Sequence, residues 1–205
     1  MRPALVVLAL LLAGCSEPDA PAAPADPEAL RLLDAVDRDA LSGAFARARG
    51  LPVTVEVTTW RGDGAPDTSV PDPVPPLRDP LAAAIPDDPP YVDPAVRDAY
   101  RLSVVGDTTV GGARFRLVEA VLVDSTRELA VRRVRAAVQP ETRAVGAVEV
   151  ERRSGSAIYD ETSRVRVDLA PGPDGWTPQT VVTDTRTDVP LSEPARVRLA
   201  WRVGS

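Results

Sequence analysis

The side chains that most often carry enzyme chemistry are scarce in this chain. It contains no histidine and no lysine, so all 24 of its basic side chains are arginines, and it has a single cysteine. These absences exclude a Ser-His-Asp triad, a Cys-His pair, a lysine Schiff base and a P-loop lysine. Paired carboxylates remain chemically available, as in glycosidases, but the 30 acidic residues show no arrangement that indicates such a pair. We therefore expect no enzymatic activity, no metal and no cofactor.

The one thiol, Cys15, lies at the end of a segment typical of secretion signals. Arg2 supplies a positive charge, residues 5–12 form an apolar run, and the run closes with Leu12-Ala13-Gly14-Cys15. The run fits the apolar stretch of about 7–15 residues in a signal peptide and is too short to span a bilayer, which takes about 20 apolar residues. The closing tetrad resembles the lipobox of bacterial lipoproteins. That resemblance implies removal of residues 1–14 and acylation of Cys15; the alternative is an ordinary signal peptide with an incidental cysteine.

Ser16 and the acidic charge bear on where the protein lies and what it meets. In lipoprotein families, a serine after the lipidated cysteine implies export to the outer membrane, whereas an aspartate there implies retention at the inner membrane. The chain has a net charge of −6, and loss of Arg2 makes the mature protein more acidic still. A general affinity for nucleic acid calls for a basic surface. We therefore expect attachment to the outer membrane, facing the periplasm, through the lipid anchor, and no nucleic-acid partner.

Two N-terminal segments differ sharply in composition. Residues 15–26 hold the lipidated cysteine and a small, acidic, proline-rich stretch that suits a flexible tether. Asp26 then has the character of a helix N-cap, with Pro27 at the first helical position. Apolar residues recur at helical spacing until Phe45, and Gly50 is typical of a C-terminal cap. This pattern predicts one amphipathic helix over residues 28–49, whose apolar stripe needs a surface to cover.

The rest of the chain predicts a sheet. Val53, Val55 and Val57 alternate with polar residues, which indicates a first strand that ends near Trp60. A proline-rich insert at about residues 62–98 follows, with short helical turns at 81–85 and 94–100; it is either a lid or plug over the sheet or an ordered linker. Short turns without intervening helices then imply an antiparallel meander. Its predicted strands are residues 100–105, 114–123, 129–138, 145–152, 163–169, 176–184 and 195–203.

These elements together predict an α+β fold that is mostly β. A curved antiparallel sheet, an incomplete barrel, packs on the one N-terminal amphipathic helix, in a single domain over residues 27–205. Trp201 alternates with polar residues in the last strand, so we expect it in the core rather than at a ligand site. A run of arginines is expected to form a solvated, ion-paired face across strands, with Glu128, Glu149 and Glu151 as available partners; these arginines are Arg127, Arg132, Arg133 and Arg135.

Several short motifs resemble the superfamily of periplasmic lipoprotein carriers and outer-membrane lipoprotein-sorting proteins. The segment Val-Gly-Asp-Thr-Thr-Val-Gly-Gly-Ala-Arg-Phe at 105–115 is one. The others are the pairing of Val-Gln-Pro-Glu-Thr at 138–142 with Val-Glu-Val at 148–150, and the strand entry Gly-Trp-Thr-Pro at 175–178. The resemblance covers about residues 27–203. It implies a curved sheet that wraps a helix and holds acyl chains in an apolar cavity; the insert at 62–98 departs from it.

Two functions remain open from the sequence. In the first, the chain is a membrane-anchored envelope lipoprotein whose domain binds lipid or lipoprotein acyl chains in an apolar cavity between helix and sheet. In the second, it is a non-catalytic structural or assembly module that binds another envelope protein through a sheet edge or the proline-rich insert. Unfilled interior volume favours the first function, whereas a filled core with an exposed apolar patch favours the second.

Overall fold

The computed structural model describes residues 25–62, 64–84, 96–124, 126–156, 158–172 and 175–204. The predicted signal peptide and the lipidation site Cys15 lie outside these residues. The described part is mostly β: one antiparallel sheet of nine strands, with three α-helices packed against it. The sheet is open, with separate edge strands. The predicted α+β class, mostly β with an unclosed antiparallel sheet, is confirmed.

The N-terminal helical segment is divided into two helices. The prediction of one continuous helix over residues 28–49 is wrong, because Asp37 has an extended backbone (φ −76°, ψ 93°) and accepts a hydrogen bond from Ala40 N at 2.9 Å. A side chain that satisfies an amide of the next turn favours a helix start at that point. Within the described residues, none of the helices has the length and apolar character needed to cross a bilayer. The helices are α1 (Pro27–Asp34), α2 (Arg38–Ala48) and α3 (Arg78–Ala84), with a 3₁₀ turn at Arg97–Ala99.

The sheet is a meander extended at one side by the first two strands. Strands three to nine follow each other in space as in the chain, and the first strand pairs with the ninth. The spatial order is β2-β1-β9-β8-β7-β6-β5-β4-β3. The strands are β1 (Val53–Arg61), β2 (Asp67–Ser69), β3 (Tyr100–Val110), β4 (Ala113–Leu122), β5 (Val131–Val138), β6 (Val145–Ser156), β7 (Tyr159–Gly172), β8 (Gly175–Asp188) and β9 (Ala195–Val203).

Several strands differ in length from their predictions. Residues 106–107 were predicted to lie in a turn, but β3 continues through them, because its register with β4 shifts between Val104 and Gly106. Such a bulge absorbs one residue and lets the ladder resume. The bounds of β9 agree with the prediction, and β7 and β8 are longer than predicted at both ends. The predictions placed no strand at β2.

All three helices cover the same face of the sheet, which we call the inner face. α1 packs on β3 and β4, α2 on β8, and α3 on β6, β7 and β8. The buried side chains form two clusters, one under α1 and one under α2 and α3, and the half-buried Leu41 packs against both. Alternation along the strands directs apolar residues to this face, as an antiparallel sheet with one wet side requires.

The proline-rich insert docks on the inner face. Leu77, Leu81 and Ala84 are each at most 6% exposed and belong to the cluster under α2 and α3. Arg152 of β6 donates to the carbonyl of Ala83 at 3.0 Å, near the end of α3. The plug interpretation agrees with this packing; Ile85 and Tyr91, which were also expected to dock, lie outside the described residues.

Strong bending brings distant strands together at one end of the sheet. Phe115 of β4 and Trp176 of β8 meet edge to face, with ring centroids 5.2 Å apart and planes at 85°. Four strand spacings in a flat sheet would separate these strands by about 19 Å. The close approach depends on small residues, since a Cβ on Gly146 would lie 2.9 Å from the Phe115 ring and one on Gly111 3.1 Å from Pro171. The sheet is therefore curved, as predicted.

The outer face is a network of arginines and carboxylates across neighbouring strands. Arg135 and Arg133 both reach Glu119, at 2.7 and 3.5 Å, and Arg164 reaches Glu151 at 3.1 Å. The ion-paired interpretation is confirmed for Arg133 and Arg135, although Glu149 and Glu151 pair with Arg164 instead. Exposed pairs each contribute about 0–1 kcal/mol. We conclude that this face is a solvated wall rather than a binding surface.

Asp26 joins the predicted tether to the folded domain. Its carboxylate accepts hydrogen bonds from Glu28 N at 2.8 Å and from Val104 N on the edge strand β3 at 3.2 Å. Its own backbone N–H donates to Leu102 O at 3.1 Å. These backbone donors, Glu28 first, lower the pKa of Asp26 from its ordinary value of 3.8. One residue thus caps α1 and partly covers the edge of β3.

Replacing Asp26 by Ala is expected to lower the thermal unfolding midpoint at pH 7 by a few degrees, because both the cap and the tie to β3 are lost. Asp37→Ala removes only a cap and is the matched control, with a smaller expected loss. Because the folded-state pKa of Asp26 is depressed, its stabilisation is present above pH 3.8 and declines as the pH falls through the lower folded value. Midpoints that differ equally at pH 7 and at about pH 2 would contradict this assignment.

Candidate functional site

A pocket opens on the inner face between α2 and two turns at the bent end of the sheet. Its volume is about 320 Å³. We call it the α2 pocket. Its floor is apolar and its rim is charged. The floor consists of Leu41, Ala44, Val145, Leu169 and Trp176, and the rim includes Asp37, Arg47, Thr142 and Arg143.

The floor is assembled from separate elements by ordinary local rules. Leu41 and Ala44 are three residues apart on α2 and therefore lie on the same side of the helix. Val145 begins β6 directly after a tight turn, and Leu169 follows a register shift in β7. Ala44, Val145 and Leu169 are buried, whereas Leu41 and Trp176 are half-buried. The last two side chains are therefore the ones that a ligand would cover.

Trp176 forms a fixed wall of the α2 pocket. Its ring packs against Phe115, which is fully buried, in the edge-to-face geometry given above. Such aromatic pairs add about 0.5–1.5 kcal/mol beyond the burial of area. The indole is thus held by the core on one side and half-exposed to the pocket on the other, which suits contact with an apolar ligand.

The turn between β5 and β6 holds Arg143 at the rim in an unusual backbone conformation. Arg143 has φ +61°, a region in which side-chain-bearing residues are strained. Two backbone hydrogen bonds of 2.9 Å close the turn, from Arg143 N to Gln139 O and from Gln139 N to Ala144 O. Thr142 Oγ1 also donates to Gln139 Oε1 at 2.7 Å. The predicted turn at residues 139–142 is present and is rigidly tied.

Two other clefts offer different chemistry. One, of about 630 Å³, lies beside the turn between β6 and β7 and is lined largely by polar groups, among them Arg132, Arg153 and Asp160. Arg153, by hydrogen bonding, and Arg132, by its charge, hold the pKa of Asp160 below its usual range. The second, of about 320 Å³, lies between the insert and β7 to β9 and includes Pro75 and Trp201. The α2 pocket combines an apolar floor with a charged rim.

The structure assigns the remaining sequence candidates to structural roles. Trp201 is 3% exposed and lies in the core, as predicted, and its Nε1 donates to Pro75 O at 3.2 Å. Arg127 pairs with Asp98 at 3.1 Å and with Asp124 at 3.3 Å. Burial raises the pKa of Tyr100 to about 12, against the opposing charge of Arg132, and its hydroxyl donates to Val131 O at 2.8 Å. In the described part of the chain, no group of three or more acidic, Cys or His residues is arranged to hold a metal.

Sequence reasoning did not identify the α2 pocket. Its lining comes from segments that are far apart in the chain, and none of its residues forms a local motif. The nearest signals were Trp176 at a strand entry and the turn that precedes Arg143. Cys15, the one site residue predicted from the sequence, lies outside the described residues and stays a prediction.

Comparison with known proteins identifies distant structural similarities only. No protein-family model matches the chain, and no curated protein matches it. A DUF1329 family protein from Desulfovibrio piger is 10% identical, with 84% of this chain and 90% of that chain covered and a TM-score of 0.29. A LolA superfamily protein from Nitrosomonas europaea is 12% identical, with 82% and 93% covered and a TM-score of 0.28. A domain described as an outer membrane lipoprotein-sorting protein, from Vibrio parahaemolyticus, is 13% identical, with 82% and 92% covered and a TM-score of 0.26. These values do not establish a family for this chain.

Proposed function

We propose that this chain is an envelope lipoprotein, anchored to a membrane through Cys15, whose folded domain binds an acyl chain in the α2 pocket. The observation that supports the proposal most directly is the apolar floor of that pocket, with Leu41 and Trp176 only half-buried. The lipobox tetrad and the short apolar run before it support the anchor. The tether of residues 15–26 would let the domain reach a lipid while the protein stays attached.

The size and chemistry of the α2 pocket suit part of an acyl chain. Its volume of about 320 Å³ is near the lower end of ligand pockets, which hold about 300–1,000 Å³. Each buried methylene contributes about 0.8 kcal/mol, so an apolar lining suffices for binding without specific hydrogen bonds. The pocket would hold a segment of a long chain and leave the polar end at the rim.

Native mass spectrometry of residues 24–205, produced in a bacterial periplasm without the anchor, tests this proposal. We expect discrete adducts with the masses of fatty acids or phospholipids, which disappear after organic extraction and return on incubation with lipid. A mass that stays free of adducts after incubation with lipids would contradict acyl-chain binding.

Replacing Ala44 by Phe is expected to reduce those adducts strongly, because the added ring would occupy the α2 pocket. Ala46→Phe is the matched control, since Ala46 is an exposed residue of the same helix that does not line the pocket. Circular dichroism would confirm that both variants fold. Equal loss of adducts from both variants would argue that the lipid binds elsewhere.

A partner-binding role is the second candidate, and exposed apolar tips favour it. Ile158 at the turn between β6 and β7 is 72% exposed, and Leu191 at the turn between β8 and β9 is fully exposed. Tyr159 and Val189 beside them are 38% and 44% exposed. Register places Asp160 of β7 opposite Asp188 of β8, so the two tips are neighbours. A domain without lipid adducts would support this role instead.

A further inference from the structure

We infer that the α2 pocket selects acyl ligands that end in an anionic group, a carboxylate or a phosphate, and that Arg143 recognises this group. The inference rests on the proposed function, because it names the class of ligand for the same pocket. It starts from the contrast between the rim of the pocket and the rest of the chain. The chain has a net charge of −6, yet two arginines and one aspartate line the rim.

The one carboxylate at the rim is already engaged. Asp37 caps α2 by accepting a hydrogen bond from Ala40 N at 2.9 Å. Glu141, the acidic residue of the same turn as Arg143, does not line the pocket. Positive charge at the rim therefore exceeds negative charge, which would favour an anion in the exposed position where the polar end of a bound amphiphile lies.

Arg143 occupies a position that its backbone would rather give to glycine. A non-glycine residue at φ +61° is strained, and strain of this kind is tolerated where the side chain has a use. The turn holds the Cα of Arg143 in place through its two 2.9 Å backbone hydrogen bonds. The side chain is exposed and, among the described residues, makes no ion pair or hydrogen bond. A guanidinium presents a planar fork of donors that matches carboxylate and phosphate geometry.

Three probes with the same palmitoyl chain separate the contributions of the chain and the head group: palmitate, palmitoyl lysophosphatidic acid and neutral monopalmitoylglycerol. We expect the wild-type domain, residues 24–205, to bind both anionic probes about tenfold more tightly than the neutral probe, which corresponds to about 1.4 kcal/mol. The ratio between palmitate and lysophosphatidic acid then tells whether a carboxylate or a phosphate is preferred.

Arg143→Gly separates recognition from stability, because the two readouts move in opposite directions. Glycine accommodates φ +61°, so the thermal midpoint should stay equal or rise. The preference for anionic probes should fall about tenfold while the affinity for monopalmitoylglycerol changes less than twofold. Arg143→Glu should abolish the preference, and Arg101→Glu, the same charge change at an exposed position of β3 outside the pocket lining, should leave it intact.

The outcomes distinguish this inference from the proposed function. Equal wild-type affinity for anionic and neutral probes would overturn the role of Arg143 and leave acyl-chain binding intact. An anionic preference that survives Arg143→Gly would also overturn it. Binding of none of the three probes would contradict the proposed function, and the inference would fall with it.

Discussion

Replacing Cys15 by Ser is expected to abolish lipid labelling of the protein. In cells fed with labelled palmitate, the wild-type chain should carry the label and fractionate with membranes until detergent is added. Cys15 is the only thiol in the chain, so no other residue can take its place in thioether acylation. The mature wild-type protein should begin at residue 15 and have an N-terminal mass increased by its acyl chains.

The physical reason for a complete effect is that the anchor has no substitute in the described chain. One acyl chain gives marginal membrane binding, whereas two or three hold a protein firmly, and no described helix is suited to cross a bilayer. Ser16→Ala is the matched control, because it alters the adjacent residue and leaves the thiol in place. Palmitate label that persists on Cys15→Ser, or a mature wild-type N-terminus without acyl mass, would contradict the lipoprotein assignment.

The sheet was largely predictable because its signal is local. Val197, Leu199 and Trp201 alternate with arginines in the last strand, and the structure gives this strand the predicted bounds. Alternation reports which side of a strand faces the core, and this requires no knowledge of the neighbouring strands. The same local reasoning places the start of α1 correctly, since Asp26 caps it and Pro27 begins it.

Predictions failed where two local signals compete or where a distant strand decides. Asp37 lies within a helical apolar pattern, but its capping hydrogen bond to Ala40 N ends one helix and begins another. Gly106 and Asp107 have the composition of a turn, yet their pairing with Leu117 and Arg116 keeps them in β3. Neither the capping bond nor the partner strand can be read from hydrophobic period alone.

The α2 pocket could not be predicted for a related reason. Its shape depends on the bend that brings Trp176 against Phe115, and this bend depends on small residues at Gly146 and Gly111. Only the conformation of the turn before β6 shows that Arg143 is held at a strained φ at the rim. The sequence predicted an apolar cavity under a helix only through a family resemblance, whereas its position and its charged rim are properties of the folded chain.

The largest expected loss of stability follows from Trp201→Ala. Trp201 lies between Val55 of β1 and Val181 of β8 in the register of the sheet, and it is 3% exposed. Truncation of a buried Trp to Ala costs about 3–5 kcal/mol, which is a large part of the 5–15 kcal/mol typical of whole domains. For a chain of this size the thermal midpoint should fall by roughly 6–20 °C.

The same substitution should loosen the proline-rich insert, because Trp201 Nε1 donates to the carbonyl of Pro75 at 3.2 Å. Limited proteolysis of Trp201→Ala below its midpoint should therefore cut residues 70–84 faster than in the wild type. Trp201→Phe keeps most of the packing and removes the donor, so it should lose less stability but still show faster cleavage. Trp60→Ala is the matched control: its half-exposed ring stacks on Arg196 at 4.7 Å, a contact worth about 0.5–1 kcal/mol. If Trp60→Ala were as destabilising as Trp201→Ala, the indole of Trp201 would not be what holds the insert and the sheet together.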